Sequence, residues 1–93
     1  MKQIIPLSSF ERAAKKLSSF DQSQLADSLE DFNNFVITGQ APVGFGFKKI
    51  NHDKYEFRVG LRLRIVVKLE GNIYYLVLAG SHDEVKRYLR KYR

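Results

Sequence analysis

The strict alternation of apolar and polar residues over positions 55–69 constrains the fold more than any other feature of the sequence. Tyr55, Phe57 and Val59 alternate with charged residues, and the run from Leu61 to Leu69 repeats the pattern. A period of two residues is typical of a β-strand that buries one face. Because the two runs adjoin, we expect an antiparallel pair whose odd-numbered side chains lie in the core.

The other elements follow from hydrophobic periodicity and from turn residues. Apolar residues recur at helical spacing twice in the first half and once near the C-terminus, and a near-continuous apolar run follows a Glu-Gly-Asn turn. We predict a strand at 2–7, a helix at about 8–17, a second helix that begins near Asp21 or Ser23 and ends near 38, strands at 45–49, 54–59, 61–69 and 73–79, and a helix at 83–92.

The order of elements is therefore β-α-α-β-β-β-β-α. Short turns between consecutive strands imply an antiparallel sheet, and helices placed before and after the strands imply an α+β fold. We predict one domain, residues 1–93, in which an N-terminal strand and a two-helix hairpin pack on a four-stranded antiparallel sheet, with a C-terminal helix. A chain of 93 residues can bury only a small core, which favours a single one.

Positive charge is concentrated in the second half of the chain. Residues 1–47 carry four basic and five acidic side chains, whereas residues 48–93 carry twelve basic and five acidic ones. Like charges on paired strands repel each other, so a cationic sheet face favours an anionic ligand such as the phosphates of a nucleic acid. An acidic protein partner and a merely solvated face are the alternatives. The polar face of the predicted hairpin carries Lys54, Arg58, Arg62, Arg64 and Lys68 around the single carboxylate Glu56.

Several kinds of chemistry are excluded by composition. The sequence has no cysteine and only two histidines, so we expect no disulfide framework, no thiolate nucleophile and no metal site. Phosphate-binding glycine loops and the motifs of hydrolases and metalloproteases do not occur. No apolar run has the ~18 residues of a membrane span, and no signal peptide is recognisable, so we expect a cytoplasmic protein that does not bind membranes. Anion binding, or metal-free and cofactor-free chemistry on a phosphodiester, remains.

Four side chains are candidates because of their type and position. His82 stands between the last strand and the last helix, where it is either a general acid or base or a helix-entry residue without chemistry. Glu56 is either a general base or the counter-ion of the surrounding cations. Tyr88 can stack on a base or pack in the core. Lys49 precedes the cationic face and joins it only if its side chain lies on that side of the sheet.

Three segments resemble the RelE/ParE superfamily, the toxins of bacterial and archaeal type II toxin–antitoxin modules. They are Tyr55-Glu-Phe-Arg-Val-Gly60, Leu63-Arg-Ile-Val-Val67 and Gly80-Ser-His-Asp-Glu-Val85, and the order of elements extends the resemblance over nearly the whole chain. The RelE-like branch implies a metal-free endoribonuclease that cleaves mRNA on the ribosome and inhibits translation, with an acidic antitoxin protein as its partner. A ParE-like inhibitor of DNA gyrase, or a catalytically inactive module that binds RNA or the antitoxin, would have the same fold.

The resemblance also implies roles for individual residues. It assigns stabilisation of the transition state to Arg64 and Arg58, and general acid or acid–base catalysis to His82. Glu56 stands where RelE-like members often carry a lysine, although other branches use a glutamate as the base. A slip of the alignment between Arg58 and Arg64 would make Arg62 the functional arginine. The weaker candidates, for holding the RNA, are Lys49, Lys54, Arg62, Lys68 and Tyr88.

Overall fold

A computed structural model describes residues 2–91, and it confirms the predicted α+β class and the order of the elements. Tyr92, which the sequence assigns to the last helix, lies outside the described residues. No helix within them is long and apolar enough to cross a membrane. The elements are β1 (Gln3–Pro6), α1 (Ser8–Lys15), α2 (Ser19–Thr38), β2 (Lys48–Lys49), β3 (Lys54–Val59), β4 (Leu63–Glu70), β5 (Ile73–Ser81) and α3 (His82–Lys91).

All five strands form one sheet in the spatial order β1-β5-β4-β3-β2. The last four strands are antiparallel, as predicted, and β1 adds a fifth strand that runs parallel to β5, from Gln3 opposite Ile73 to Pro6 opposite Leu76. Since β5 is paired on both edges and covered on both faces, its near-continuous apolar sequence is explained. The prediction that this strand breaks at Gly80 was wrong, because β5 continues to Ser81.

The larger core lies between the sheet and the helices α1 and α2. Phe32 of α2 is fully buried, with its ring stacked 4.7 Å from that of Phe57 and edge-on to Tyr74 at 5.3 Å. α2 begins at Ser19, earlier than either predicted start, because the Ser18 hydroxyl accepts the backbone N–H of Asp21 at 3.1 Å and caps the helix. These aromatic contacts fix α2 across one face of β3 and β5.

The other face of the sheet is partly covered by α3. Val85 of this helix packs against Val66 and Val77, all three being buried. A β-bulge makes this packing possible, because Val66 pairs with Leu78 and Val67 with Leu76, which leaves Val77 without a partner in β4. The alternation predicts a polar face for the even-numbered residues of β3 and β4. The middle of that face is instead apolar and is covered by α3.

The connection between β3 and β4 also differs from the prediction. Gly60, with φ of +61°, starts a three-residue turn, so β4 begins at Leu63 rather than at Leu61. Leu61, predicted in the core, is fully exposed at this turn. The alternation runs through residues 59–63 without a break, but a left-handed residue within it reverses the chain direction.

Candidate functional site

The strand register brings most of the predicted cations onto one face. Arg58 lies directly opposite Arg64, and Lys54 lies opposite Lys68. Glu56 is opposite Val66, midway between the two pairs. Directly opposed residues of antiparallel strands share a face, so all four cations and the carboxylate lie on the side of the sheet away from α2.

At one end of this face, positive charge exceeds negative charge. The Arg64 Nη1 atom donates to Glu56 Oε2 at 2.8 Å; the Glu56 side chain is 7% exposed and that of Arg64 is 21% exposed. Arg58 is exposed and has no ion-pair partner within residues 2–91. Two guanidinium groups therefore face a single buried carboxylate, which makes this end suited to an additional anion.

A glycine allows Arg58 to lie close to the neighbouring loop. Gly46 has φ of +67°, and a Cβ atom at this position would lie 3.3 Å from Cγ, Cδ and Nε of Arg58. The Arg58 backbone N–H donates to the carbonyl of Phe45 at 2.9 Å. The loop thus holds both the backbone and the stem of Arg58 and leaves its charged end open to solvent.

At the other end, the lysines are already neutralised. Lys54 Nζ lies 3.3 Å and Lys68 Nζ 3.9 Å from the carboxylate of Asp53, and Lys68 also lies 3.2 Å from Glu70. Burial by itself raises the pKa of Asp53, but the hydrogen bond and the charges of the two lysines outweigh it and leave the pKa below its ordinary value. The hydrogen bond to Glu70 raises the pKa of Lys68. Two lysines thus face two carboxylates here.

Two of the side chains predicted to contact RNA, Lys49 and Arg62, do not lie on the face that carries Arg58 and Arg64. One cation that was not predicted to contact RNA does lie on it. Lys49 pairs with Tyr55, so its side chain lies on the side of α2. Arg62 lies in the β3–β4 turn with its side chain 74% exposed, and its Nη2 atom is 3.3 Å from Asp21 of α2. The added cation is Lys48, which pairs with Glu56 and so shares its face. Strand parity shows that Lys48 and Lys49 face opposite ways, and only the register shows which one joins the site.

His82 lies at the junction of β5 and α3, where a reciprocal pair of hydrogen bonds starts the helix. The Ser81 backbone N–H donates to Glu84 Oε1 at 2.9 Å, and the Glu84 backbone N–H donates to the Ser81 hydroxyl at 3.2 Å. The bond from the Ser81 backbone is the main reason why the pKa of Glu84 is lowered. His82 is exposed and is two residues beyond Gly80, the partner of Arg64 across β4 and β5.

The start of α3 lies close to Gly80 of β5. A Cβ atom at Gly80 would lie 3.2 Å from the Glu84 side chain, so a larger residue there would require the Glu84 side chain to shift by a few tenths of an ångström. Tyr88 lies further along α3, half-buried against the cluster of Val66 and Val77, and its electrostatic interaction with Lys68 is the smallest of the causes that raise the pKa of that lysine. Tyr88 is therefore associated with the neutralised end of the face.

The geometry thus divides the sequence candidates into two groups. Arg58, Arg64 and Glu56 form a fixed cluster, with His82 at the adjacent strand end. Such a cluster can hold a phosphate with charge-assisted hydrogen bonds while a histidine exchanges a proton nearby. Within residues 2–91, no three His, Asp or Glu side chains are grouped so that they could hold a metal ion.

Comparison with known proteins shows this fold among bacterial and archaeal toxins. The sequence matches no protein-family model and no curated protein. A chain of the RelB–RelE antitoxin–toxin complex from Methanococcus jannaschii superposes with a TM-score of 0.69 at 17% identity, over 90% of this chain and 96% of that one. A copper-bound mutant toxin from Helicobacter pylori gives 0.71 at 19% identity, over 91% and 99%.

A chain of the DinJ–YafQ complex from E. coli gives a TM-score of 0.67 at 13% identity, over 91% of this chain and 98% of that one. The fold is therefore that of the RelE-like toxins of toxin–antitoxin systems, which confirms the resemblance drawn from the sequence at the level of the fold. Each of these structures covers at least 90% of this chain, so most of the architecture is shared.

Proposed function

We propose that this protein is the toxin of a type II toxin–antitoxin module and an endoribonuclease that cleaves mRNA on the ribosome without a metal ion. The observation that carries the proposal is the direct pairing of Arg58 and Arg64 on an open sheet face, where Glu56 is the one carboxylate of residues 2–91 that is ion-paired with them. Opposed arginines repel each other and lower the stability of the fold, so their pairing is best explained by an anionic ligand between them.

The proposed reaction is attack of a ribose 2′-hydroxyl on the adjacent phosphorus. The O2′–P bond forms as the P–O5′ bond breaks, which yields a 2′,3′-cyclic phosphate and a 5′-hydroxyl end. Arg58 and Arg64 stabilise the extra negative charge on the phosphoryl oxygens in the transition state. His82, in its protonated form, donates a proton to the leaving O5′, and the proton of the 2′-hydroxyl passes to solvent.

In this mechanism Glu56 orients Arg64. Its carboxylate is almost fully buried, and the oxygen Oε2 is occupied by the Arg64 guanidinium at 2.8 Å. A charged hydrogen bond of this length holds the guanidinium plane in place and leaves the remaining N–H groups for phosphate. The geometry therefore favours Glu56 as the counter-ion rather than as the base.

An acidic antitoxin is the proposed protein partner. Structures similar to this chain include complexes with the antitoxins RelB and DinJ. An acidic segment laid over Arg58, Arg64 and Lys48 would neutralise the excess charge and block access of RNA to the arginines. Because mRNA and ribosomes are the targets, we place the protein in the cytoplasm.

The test is induced expression in a bacterial host, with primer extension on abundant mRNAs. We expect growth arrest and new 5′ ends inside translated regions with the natural sequence. Arg58→Ala should abolish both, because it removes phosphate stabilisation without breaking any ion pair of the fold. Arg62→Ala is the matched control, since it removes an arginine from the adjacent turn and should leave cleavage unchanged. His82→Ala should lower the cleavage rate by roughly 10²–10⁴-fold.

Other outcomes would identify the alternatives. Growth arrest with intact mRNA and filamentous cells would contradict the proposal and indicate inhibition of DNA gyrase. Absence of growth arrest, with a folded protein in the cells, would indicate a module that binds RNA or an antitoxin without cleaving. Equal loss of cleavage in Arg58→Ala and Arg62→Ala would show that the paired arginines are not the site.

A further inference from the structure

A cleft of about 320 Å³, here called the α1–α3 cleft, lies along β5 beyond the end of β1. β1 pairs with β5 only as far as Leu76, and the next carbonyl, that of Val77, accepts a hydrogen bond from the Ser9 hydroxyl of α1 at 2.6 Å. α1 therefore takes the place of β1 at this edge of the sheet. The residues of the lining that bear on its chemistry are Arg12 and Lys16 at α1, Leu78 and Ala79 of β5, and Glu84 of α3.

Glu84 connects this cleft to the face of the sheet that carries the paired arginines. Gly80 lies directly opposite Arg64, and directly opposed residues of antiparallel strands share a face. A Cβ atom at Gly80 would lie 3.2 Å from the Glu84 side chain, so Glu84 is on that face as well. Adjacent strands are about 4.8 Å apart, and only the width of β5 separates Arg64 from Glu84. An RNA strand of a few nucleotides can therefore contact both the arginines and the cleft.

Positive charge exceeds negative charge in the cleft. Arg12 and Lys16 are one helical turn apart, both are exposed, and neither forms an ion pair within residues 2–91. Among the described residues that line the cleft, Glu84 is the one carboxylate, and its Oε1 atom accepts the Ser81 N–H at 2.9 Å. That hydrogen bond is the main cause of the lowered pKa of Glu84, and the charges of Arg87 and Lys16 also lower it. Two cations without partners are thus available to an anion.

We propose that the α1–α3 cleft binds a second nucleotide of the RNA strand that is cleaved, through its phosphate and its ribose 2′-hydroxyl. This inference rests on the proposed ribonuclease function. Arg12 and Lys16 donate to the phosphate oxygens, and Glu84 accepts the hydrogen of the hydroxyl. An ionised carboxylate has about four acceptor positions, so the bond from the Ser81 N–H leaves room for a second donor. A ribonucleotide offers the anion and the hydroxyl donor together.

The chemistry of the cleft favours RNA over DNA and over an acidic protein segment. A deoxyribonucleotide has the phosphate but no 2′-hydroxyl for Glu84. The carboxylates of an acidic segment would be attracted by Arg12 and Lys16 but repelled by Glu84. The volume of the cleft is at the lower end of the range for small-molecule pockets, about 300–1,000 Å³. It therefore suits part of a nucleotide better than a folded partner, whose interface would bury at least about 1,000 Å².

The contact with the ribose is tested by equilibrium binding of a uridine decanucleotide and of its 2′-deoxy counterpart. The full chain is used with His82→Ala, which slows cleavage, so that the RNA stays intact. We expect the ribo-oligonucleotide to bind about three- to tenfold more tightly than the deoxy form. Glu84→Ala should remove this preference, because the hydroxyl loses its acceptor. Ser81→Ala is the matched control, since it breaks the same capping pair but keeps the carboxylate, and it should retain the preference.

The contact with the phosphate is tested by the dependence of binding on salt. Arg12→Ala and Lys16→Ala should each weaken binding of both oligonucleotides about three- to tenfold at low salt. Each should also lower the slope of log Kd against log salt concentration by about 0.7, the value for one phosphate contact on a single strand. Lys15→Ala is the matched control, because Lys15 is an exposed cation of α1 that does not line the cleft, and it should leave the slope unchanged.

Three results would overturn the inference. Equal binding of the two oligonucleotides would show that the cleft holds no ribose hydroxyl. Equal losses in Lys15→Ala and Lys16→Ala would show non-specific attraction to the cations of α1. Unchanged RNA binding in both Arg12→Ala and Lys16→Ala would assign the cleft to a protein partner. Cleavage in cells is scored separately, so cleavage together with any of these results leaves the proposed function, whereas the expected binding without cleavage contradicts the ribonuclease and not the cleft.

Discussion

The two faces of the sheet differ in what they bury and in what they leave charged. On the side of α1 and α2, a cluster of twelve buried residues includes the aromatic stack of Phe32 and Phe57. On the side of α3, the buried cluster of the described residues has three members, and the same face carries the paired arginines. One face therefore supplies most of the apolar burial that stabilises the fold, and the other can bear repulsion between cations.

The difference between the two faces explains why the candidate site lies on the face opposite the aromatic core. A surface with opposed arginines is unfavourable by a few tenths to about 1 kcal/mol for each like-charged pair. A strand that is fixed from the opposite face by buried aromatic packing tolerates this cost. The core on one side of β3 and β4 thus permits the charge cluster on the other side.

The largest loss of stability is expected for Phe32→Ala, on the face that is covered by α1 and α2. The ring is fully buried and contacts Phe57 and Tyr74, so its removal leaves a cavity and should lower the free energy of unfolding by about 3–5 kcal/mol. Val85→Ala, which thins the opposite cluster, should cost about half as much. Urea denaturation of both variants measures the difference. Equal losses would contradict the view that one face dominates stability.

A smaller loss of stability is expected for Glu56→Ala, on the face that carries the paired arginines. The substitution leaves Arg64 opposite Arg58 without its counter-ion, so the free energy of unfolding should fall by about 1–3 kcal/mol. Glu70→Ala removes a carboxylate whose side chain is 63% exposed, and it should cost less than about 1 kcal/mol. Thermal unfolding at constant ionic strength measures both. A Glu56→Ala variant as stable as Glu70→Ala would show that the buried pair does not hold the arginines.

Much of this division could be predicted from the sequence. Alternation alone indicates that Arg58, Arg64 and Glu56 share a face away from the aromatic core, because strand parity is a local property. The placement of Arg62 could not be predicted in this way, since the turn at Gly60 interrupts the strand while the alternation continues. The side of Lys49 depends on the register between β2 and β3, which the length of the intervening turn determines.

Other features depend on tertiary contacts that leave no periodic signal. A cleft of about 360 Å³ arises where the loop at 42–45 meets the β3–β4 turn and α2, and no periodic pattern brings these three segments together. The parallel pairing of β1 with β5 is likewise set by the return of the chain through α1 and α2. The start of α3, in contrast, has a local signal: Ser81 and Glu84 have the spacing of a capping box.

Loss of the capping box formed by Ser81 and Glu84 should lower the free energy of unfolding by a smaller amount, and this loss should depend on pH. Ser81→Ala and Glu84→Gln should each lower the free energy of unfolding by about 1 kcal/mol near neutral pH. The pKa of Glu84 is lower in the folded than in the unfolded chain, chiefly because it accepts the Ser81 N–H. Its contribution is therefore present above the unfolded pKa and lost as the pH falls through the folded pKa.

Unfolding free energies measured from pH 7 downward check this expectation. Glu84→Gln should lose less stability on acidification than the natural sequence does. Glu11→Gln is the control, since Glu11 lies in the first turn of α1 without a side-chain cap bond. An identical pH dependence in the natural sequence and in Glu84→Gln would contradict the assigned cap.

The smallest loss of stability is expected for Arg62→Ala. This variant also tests whether Arg62 or Arg64 is the functional arginine, which the sequence alone leaves open. Arg62 forms an ion pair with Asp21 at 3.3 Å, but its side chain is 74% exposed and water screens the interaction. The loss of stability should be about 0.5 kcal/mol or less, and RNA binding should not change. Arg64→Lys, which keeps the charge but loses the planar fork, should weaken RNA binding, because a lysine cannot contact Glu56 and a phosphate in the same geometry. If Arg62→Ala weakened RNA binding as much as Arg64→Lys, RNA would be attracted non-specifically by all the cations near the β3–β4 turn. Arg58 and Arg64 would then not form a defined binding site.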